Sequence, residues 1–235
     1  MPAGKQTGIS VVIPCLDEQA GIGAVVRDAL RGIRDSGLPG EVLVVDNGST
    51  DGSADIAQQA GARVVREPVR GYGAALRRGM AEAQQAFLVM GDGDRSYDLA
   101  DIPRLVEPLW RNEADLVMGD RMRDIRPGAM PWLHRRLGNP LFSLLVRVLF
   151  RNNTVHDVHC GLRAIRKESY TALQCATTGM EFASEMVVRA FRAKLRIQEI
   201  AVVYHPRVGV SKLRSFRDGC RHLRFVIREA FLAKP

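Results

Sequence analysis

The chain has 235 residues, 46% of them hydrophobic, and a formal net charge of +8. Such a length suits one α/β domain with a C-terminal extension, and the apolar content is ample for a single core, which excludes a disordered chain. No apolar run is long enough to cross a bilayer, and the polar Met1–Gly8 does not read as a signal peptide. Four scattered cysteines without a CxxC pair argue for reduced thiols in a cytoplasmic protein rather than a disulfide frame or zinc site.

In chain order, Ile9-Ser10-Val11-Val12-Ile13 predicts a buried strand stopped by Pro14. Ile22, Val25, Val26, Ala29, Leu30 and Ile33 then form one apolar helical face that Gly37 ends. Strands at Val42–Val45, Arg63–Val65, Phe87–Met90 and Leu116–Met118 alternate with helices at Asp51–Ala60, Gly73–Gln85 and Leu99–Arg111. Strict alternation predicts an α/β fold, a mainly parallel central sheet with helices on both faces. Ligands in such sheets sit at the carboxyl ends of the strands.

The second half differs. Across 141–150 nearly every residue is apolar, while Asn139, Ser143, Arg147 and Arg151 fall every fourth position, so a helix over 139–152 carries a narrow polar stripe and a wide apolar surface. Phe216, Cys220, Leu223, Ile227 and Ala230 make the apolar side of a last helix, with Arg217, Arg221, Arg224 and Arg228 on its other sides. Residues 1–204 are therefore expected to be the α/β body and 205–235 a basic amphipathic segment. Charge follows the same division: 205–235 carries +6, 119–151 carries +5, and the remainder is −3. Two basic patches on a near-neutral body point to a polyanionic partner. Aromatic content of 6% and the lack of a recognition motif argue against nucleic acid. The basic helix suits a membrane interface, and the wide apolar face suits either a bilayer or a homo-oligomer.

Three turns follow three of the strands. In Met90-Gly91-Asp92-Gly93-Asp94, carboxylates one residue apart can converge on a single Mg²⁺ or Mn²⁺, hard ions that fill their remaining positions with water and phosphate oxygens. In Asp46-Asn47-Gly48-Ser49-Thr50-Asp51, Asp46 ends its strand where a carboxylate can meet a base or ribose, while Ser49 and Asp51 suit a helix cap. The Arg70–Ala75 turn places Gly71 and Gly73 at a helix start that favours phosphate. Leu76 nevertheless breaks the GxGxxG fingerprint, and no phosphate loop of the GxxxxGK[ST] type is present. His156 and His159 beside Cys160 lack a fourth ligand for zinc.

Together VVIPCLDE, EVLVVDNGSTDGS, GYGAALRRG, MGDGD, DLVMGDRM, PGAMPWLHRRLGN, HDVHCGLRAIRK, GMEFASEM and YHPRVGVSKLRSFRDGCRHLRF resemble the family 2 glycosyltransferases of the GT-A fold over nearly the whole chain. The later pieces resemble the branch that makes dolichyl- or polyprenyl-phosphate hexoses. The resemblance implies an inverting transfer of a hexose from a nucleotide sugar, UDP-glucose or GDP-mannose, to a polyprenyl phosphate at the cytoplasmic face of a membrane. A soluble glycan or metabolite is the alternative acceptor.

The resemblance also implies site roles. Pro14, Leu16 and Glu18, with Asp46, border the nucleoside; Asn47, Ser49 and Gly71 complete that nucleotide-sugar set. Asp92 and Asp94 hold the metal. Arg121 lies near phosphate, and Arg135 or Arg136 with Lys212 receives the acceptor phosphate. Asp157 is the candidate carboxylate facing the sugar, as base or hydrogen-bond acceptor, and Glu181 is either a sugar contact or a helix cap. The sequence departs from the family pattern at Asn47, where a second Asp is common, and at Ser96, where relatives often carry Gln.

Overall fold

The computed structural model describes residues 7–211 and 215–232. Its strands are β1 (Ile9–Cys15), β2 (Gly40–Asp46), β3 (Arg63–Arg66), β4 (Phe87–Met90), β5 (Leu116–Ile125), β6 (Arg163–Arg166) and β7 (Ile197–Tyr204). Its helices are α1 (Ile22–Asp35), α2 (Ser53–Gln59), α3 (Tyr72–Glu82), α4 (Ile102–Trp110), α5 (Asn139–Phe150), α6 (Lys167–Leu173), α7 (Phe182–Arg192) and α8 (Ser215–Leu232). A single 3-10 turn at Leu99–Asp101 leads into α4, and a π-helical turn at His134–Gly138 leads into α5.

The strands form one sheet in the order β3-β2-β1-β4-β6-β5-β7. β3, β2, β1 and β4 run parallel, β6 is antiparallel to both its neighbours, and β7 is parallel to β5. The expected alternation thus holds through β4, and the mainly parallel sheet is interrupted by β6, which carries no helical crossover pattern in sequence. Strand order reverses between β1 and β4, and a crevice opens at the carboxyl ends of strands flanking such a reversal.

Strand periodicity divides the core. Ile9, Val11, Ile13 and Cys15 of β1 point to the face covered by α1 and α4, while Val12 points to the face covered by α3 and α7. β1 runs two residues beyond Ile13, the last residue before the expected stop, and so takes in Pro14 and Cys15. Its pairing with β4 ends at Val12, so the missing Pro14 N–H lies where no neighbour needs it. β5 likewise continues past Met118 to Ile125, because β7 pairs along it on the far side.

α5 turns part of its polar stripe inward. Ser143, 1% exposed, accepts from the Val158 N–H at 3.2 Å, and Asn139 Oδ1 lies 3.3 Å from His159 Nδ1, while Val146 is buried on the same side and Arg151 is exposed. Leu141, Leu144 and Val148 face outward, the last 64% exposed, beside exposed Trp132, Leu133 and Leu137. α8 packs on α7 and α5 through buried Asp218, His222 and Val226. Its predicted apolar stripe of Phe216, Cys220, Leu223 and Ile227 is exposed. Arg221 departs from the expected solvent-facing set by reaching back to Glu181 at 2.9 Å. Among the described residues, no helix is long and apolar enough to cross a membrane.

Candidate active site

The Gly91–Asp94 turn and the Cys15–Glu18 loop leave β4 and β1 at the strand-order reversal. Gly93 lies against β1, since a Cβ there would be 3.4 Å from the Pro14 carbonyl oxygen. Asp92 is half-buried, and its Oδ1 accepts from the Tyr72 hydroxyl at 3.0 Å. Burial, then the neighbouring charge of Asp94, pushes the Asp92 carboxyl up to about 6, while Arg121 and Arg207 pull the other way. Asp94 is buried; its Oδ1 accepts from Ser96 N at 2.9 Å and Ser96 Oγ at 2.5 Å, and its Oδ2 accepts from Arg207.

This pair fits a divalent ion. Two carboxylates share one turn, and the buried Asp94 already holds a cation, the Arg207 guanidinium. No third His, Cys, Asp or Glu joins them among the described residues, so phosphate and water would complete the coordination. Ser96, at the position where relatives often carry Gln, holds Asp94 in place.

The β2 turn frames the other side of the crevice. Asp46 Oδ1 accepts from Ser49 N at 2.8 Å, and Ser49 Oγ accepts from Asp17 N at 3.0 Å, joining this turn to the β1 loop. The cap of α2 is Gly52, not Ser49 or Asp51, although Asp51 accepts from Ser53 N at 2.9 Å. Glu18 anchors the same junction through its N–H on Ser53 Oγ at 2.8 Å. Pro14 and Leu16 are half-buried along the loop.

Asn47 bonds to backbone with its whole amide. Nδ2 donates to Glu67 O at 2.9 Å and Val69 O at 2.8 Å, while Oδ1 accepts from Gly71 N at 2.7 Å. Gly71 has φ +143, and a Cβ there would lie 2.1 Å from the Thr178 carbonyl oxygen. The N–H groups of Gly73 and Ala74, in the first turn of α3, donate to the Gly179 and Thr178 carbonyls. The start of α3 therefore docks another segment of the chain.

Behind the acidic turn, Arg121 grips Asp157 in two parallel bonds, Nε to Oδ2 at 2.6 Å and Nη2 to Oδ1 at 2.7 Å. Asp157 is 0% exposed, and the Arg121 guanidinium also lies 5.0 Å from the Tyr204 ring centre. Arg163, fully buried, donates to the carbonyls of Cys160, Ala183 and Val158 at 2.8 Å each; burial draws its pKa below the ordinary value. It fixes the loop that sets Gly161 against Asp92, where a Cβ would approach Oδ2 to 2.7 Å.

Glu181, at the cap of α7, holds Arg221 with Oε1, and its Oε2 is buried without a hydrogen-bond partner. Glu185 is used structurally, accepting from Ala176 N and Thr177 N at 2.9 and 2.8 Å. Arg135 and Arg136 are exposed on the π-helical turn, and Lys212 lies outside the described residues. Tyr72, Arg163 and Arg207 are the members that motif reading missed. Tyr72 and Arg207 stand inside matched motifs, and Arg163 inside HDVHCGLRAIRK, without any spacing that singles them out.

Residues 10–173 match the profile described as Glycosyl transferase family 2. The chain belongs to that family. It is 39% identical over 223 residues to the low-salt glycan biosynthesis hexosyltransferase Agl6 of Haloferax volcanii, covering 94% of this chain but 54% of Agl6, so it spans about half that relative's length. It is 33% identical over 213 residues to the dolichyl-phosphate hexose transferase of Haloferax volcanii, covering 90% of this chain and 89% of the relative. Glucosyl-3-phosphoglycerate synthase from Mycobacterium tuberculosis, solved with Mn²⁺, UDP-glucose and phosphoglyceric acid, superposes with a TM-score of 0.77 at 25% identity. That match covers 97% of this chain and 81% of the synthase chain. The family's GT-A fold is therefore the fold seen here.

Proposed function

We propose that this chain transfers a hexose from a nucleotide sugar to a polyprenyl phosphate, with Mg²⁺ or Mn²⁺ as cofactor and UDP-glucose as the favoured donor. The observation that carries the reading is the Asp92–Asp94 turn at the strand-order reversal, where one carboxylate already holds a cation. Asp92 and Asp94 would hold the ion, whose charge stabilises the departing diphosphate. Asp46 and the Pro14–Glu18 loop border the nucleoside. Glu181, whose buried Oε2 lacks a partner, accepts from a sugar hydroxyl. Arg121 sits above Tyr204 within the electrostatic reach of Asp92, its orientation set by Asp157.

A phosphate monoester is already mostly dianionic at neutral pH and needs little help from a general base. Its requirement is positioning against another anion, and exposed Arg135 and Arg136 supply charge on the turn that packs on α5, which, like α8, has an outward apolar face. Those faces support peripheral contact with a membrane that presents the lipid acceptor. The dolichyl-phosphate hexose transferase relative favours the same acceptor. The likeness to a synthase solved with phosphoglyceric acid favours a second reading, a soluble acceptor.

The test incubates the protein with Mn²⁺, labelled UDP-glucose or GDP-mannose, and either short-chain polyprenyl phosphate or phosphoglyceric acid. Label is expected in the organic phase, and Asp94→Ala is expected to abolish transfer while retaining the far-UV spectrum. Label confined to the aqueous phase with every donor would remove the lipid acceptor.

A further inference from the structure

Arg207 belongs to the segment between β7 and α8, and that segment is sewn to the acidic turn on both sides of it. His205 N donates to Ser96 O at 2.9 Å, and Val208 N donates to Asp94 O at 2.8 Å. Between these anchors the Arg207 side chain reaches Asp94 Oδ2. The carboxylate is almost closed to solvent, while the arginine side chain is 36% exposed. Gly209, at φ +92, turns the chain back beside Glu18, 3.4 Å from where its Cβ would lie.

A buried carboxylate needs a partner of opposite charge. Ser96 satisfies one oxygen and Arg207 the other. We propose that Arg207 is a placeholder cation, seated on Asp94 while the site is free and displaced from Oδ2 when a divalent ion binds, then turning to the donor's diphosphate. The inference rests on Asp92 and Asp94 being the metal ligands. The charge count favours it. A dication neutralises the two carboxylates by itself, which leaves the guanidinium surplus and repelled. An arriving diphosphate dianion restores the need for it. Because the backbone is fastened at 205 and 208, only the long, partly solvated side chain has to move.

The experiment is titration of Mn²⁺ into the full-length protein, first without nucleotide and then with saturating UDP. Wild type, Arg207→Gln and Arg207→Lys are compared, with circular dichroism checking each fold. Without nucleotide, Arg207→Gln is expected to bind Mn²⁺ about 3- to 30-fold more tightly than wild type, because the competitor is gone. Arg207→Lys, which keeps the charge, is expected to stay near wild type. With UDP the order is expected to reverse, since Gln cannot meet the diphosphate. Equal or weaker Mn²⁺ binding by Arg207→Gln without nucleotide, while wild type binds Mn²⁺ with UDP, would overturn the placeholder and leave the metal site standing. Lys binding as tightly as Gln would also overturn it. No Mn²⁺ binding by any variant in either condition would overturn the metal reading as well.

Discussion

Arg121 and Asp157 close on each other in a solvent-free pocket, guanidinium to carboxylate, at 2.6 and 2.7 Å. The Arg121 backbone N–H adds a third bond to Asp157 at 3.3 Å. Each charge is tolerated in the interior only because the other is present. Arg121→Met is therefore expected to cost about 3–5 kcal/mol by stranding the carboxylate. The double variant Arg121→Met/Asp157→Asn is expected to cost less than the sum of the singles. Urea unfolding of the cycle measures the coupling, and additive losses below about 1 kcal/mol each would contradict the pairing.

Asn47 makes the opposite kind of prediction, because the common family residue is expected to harm this chain. Asn47→Asp replaces a donor that serves the Glu67 and Val69 carbonyls with an oxygen that repels them. A loss of about 1–3 kcal/mol is expected, seen as a lower melting temperature. Unchanged or raised stability would show that the 67–71 loop does not depend on that amide.

Asp92 makes stability depend on pH. Its folded pKa of about 6 lies above the unfolded value of about 4. Its proton therefore favours the fold below pH ~4, and that contribution is lost as pH rises through about 6. In chelator, Asp92→Asn is expected to match wild type at pH 4 and exceed it at pH 7.5 by about 1–3 kcal/mol. Mn²⁺ should raise the melting temperature of wild type at pH 7.5 but not of the variant. Melts at the two pH values decide the point, and a variant less stable than wild type at pH 7.5 would refute it.

The outward faces of α5 and α8 can be separated from the core by mutation. Arg217, Arg224 and Arg228 are exposed, while Arg221 is held by Glu181. Changing the first three to Gln is expected to remove about 1 kcal/mol each from binding to anionic vesicles. Changing Leu141, Leu144 and Val148 to Ser should weaken the same binding with little change in melting temperature, because these side chains already face outward. Vesicle sedimentation that neither set alters would count against membrane contact and return attention to a second copy of the chain.

The sequence by itself determined the first four strands, their helices and the Asp92–Asp94 turn. Those features are local: alternation, helical spacing and two carboxylates separated by a single glycine need no distant partner to be read. It also determined that the helices near 139–150 and 215–232 are amphipathic. Only the tertiary structure decided which way those helices face, and α5 turns part of its polar stripe inward because Asn139 and Ser143 find His159 and the Val158 N–H there. Only folding decided that β6 runs antiparallel between β4 and β5. The contacts that define the site, Arg121 with Asp157 and Arg207 with Asp94, span 36 and 113 residues of chain. A charge written at one point of a sequence names no partner so far away; the sheet that brings β4, β5 and β7 together selects it.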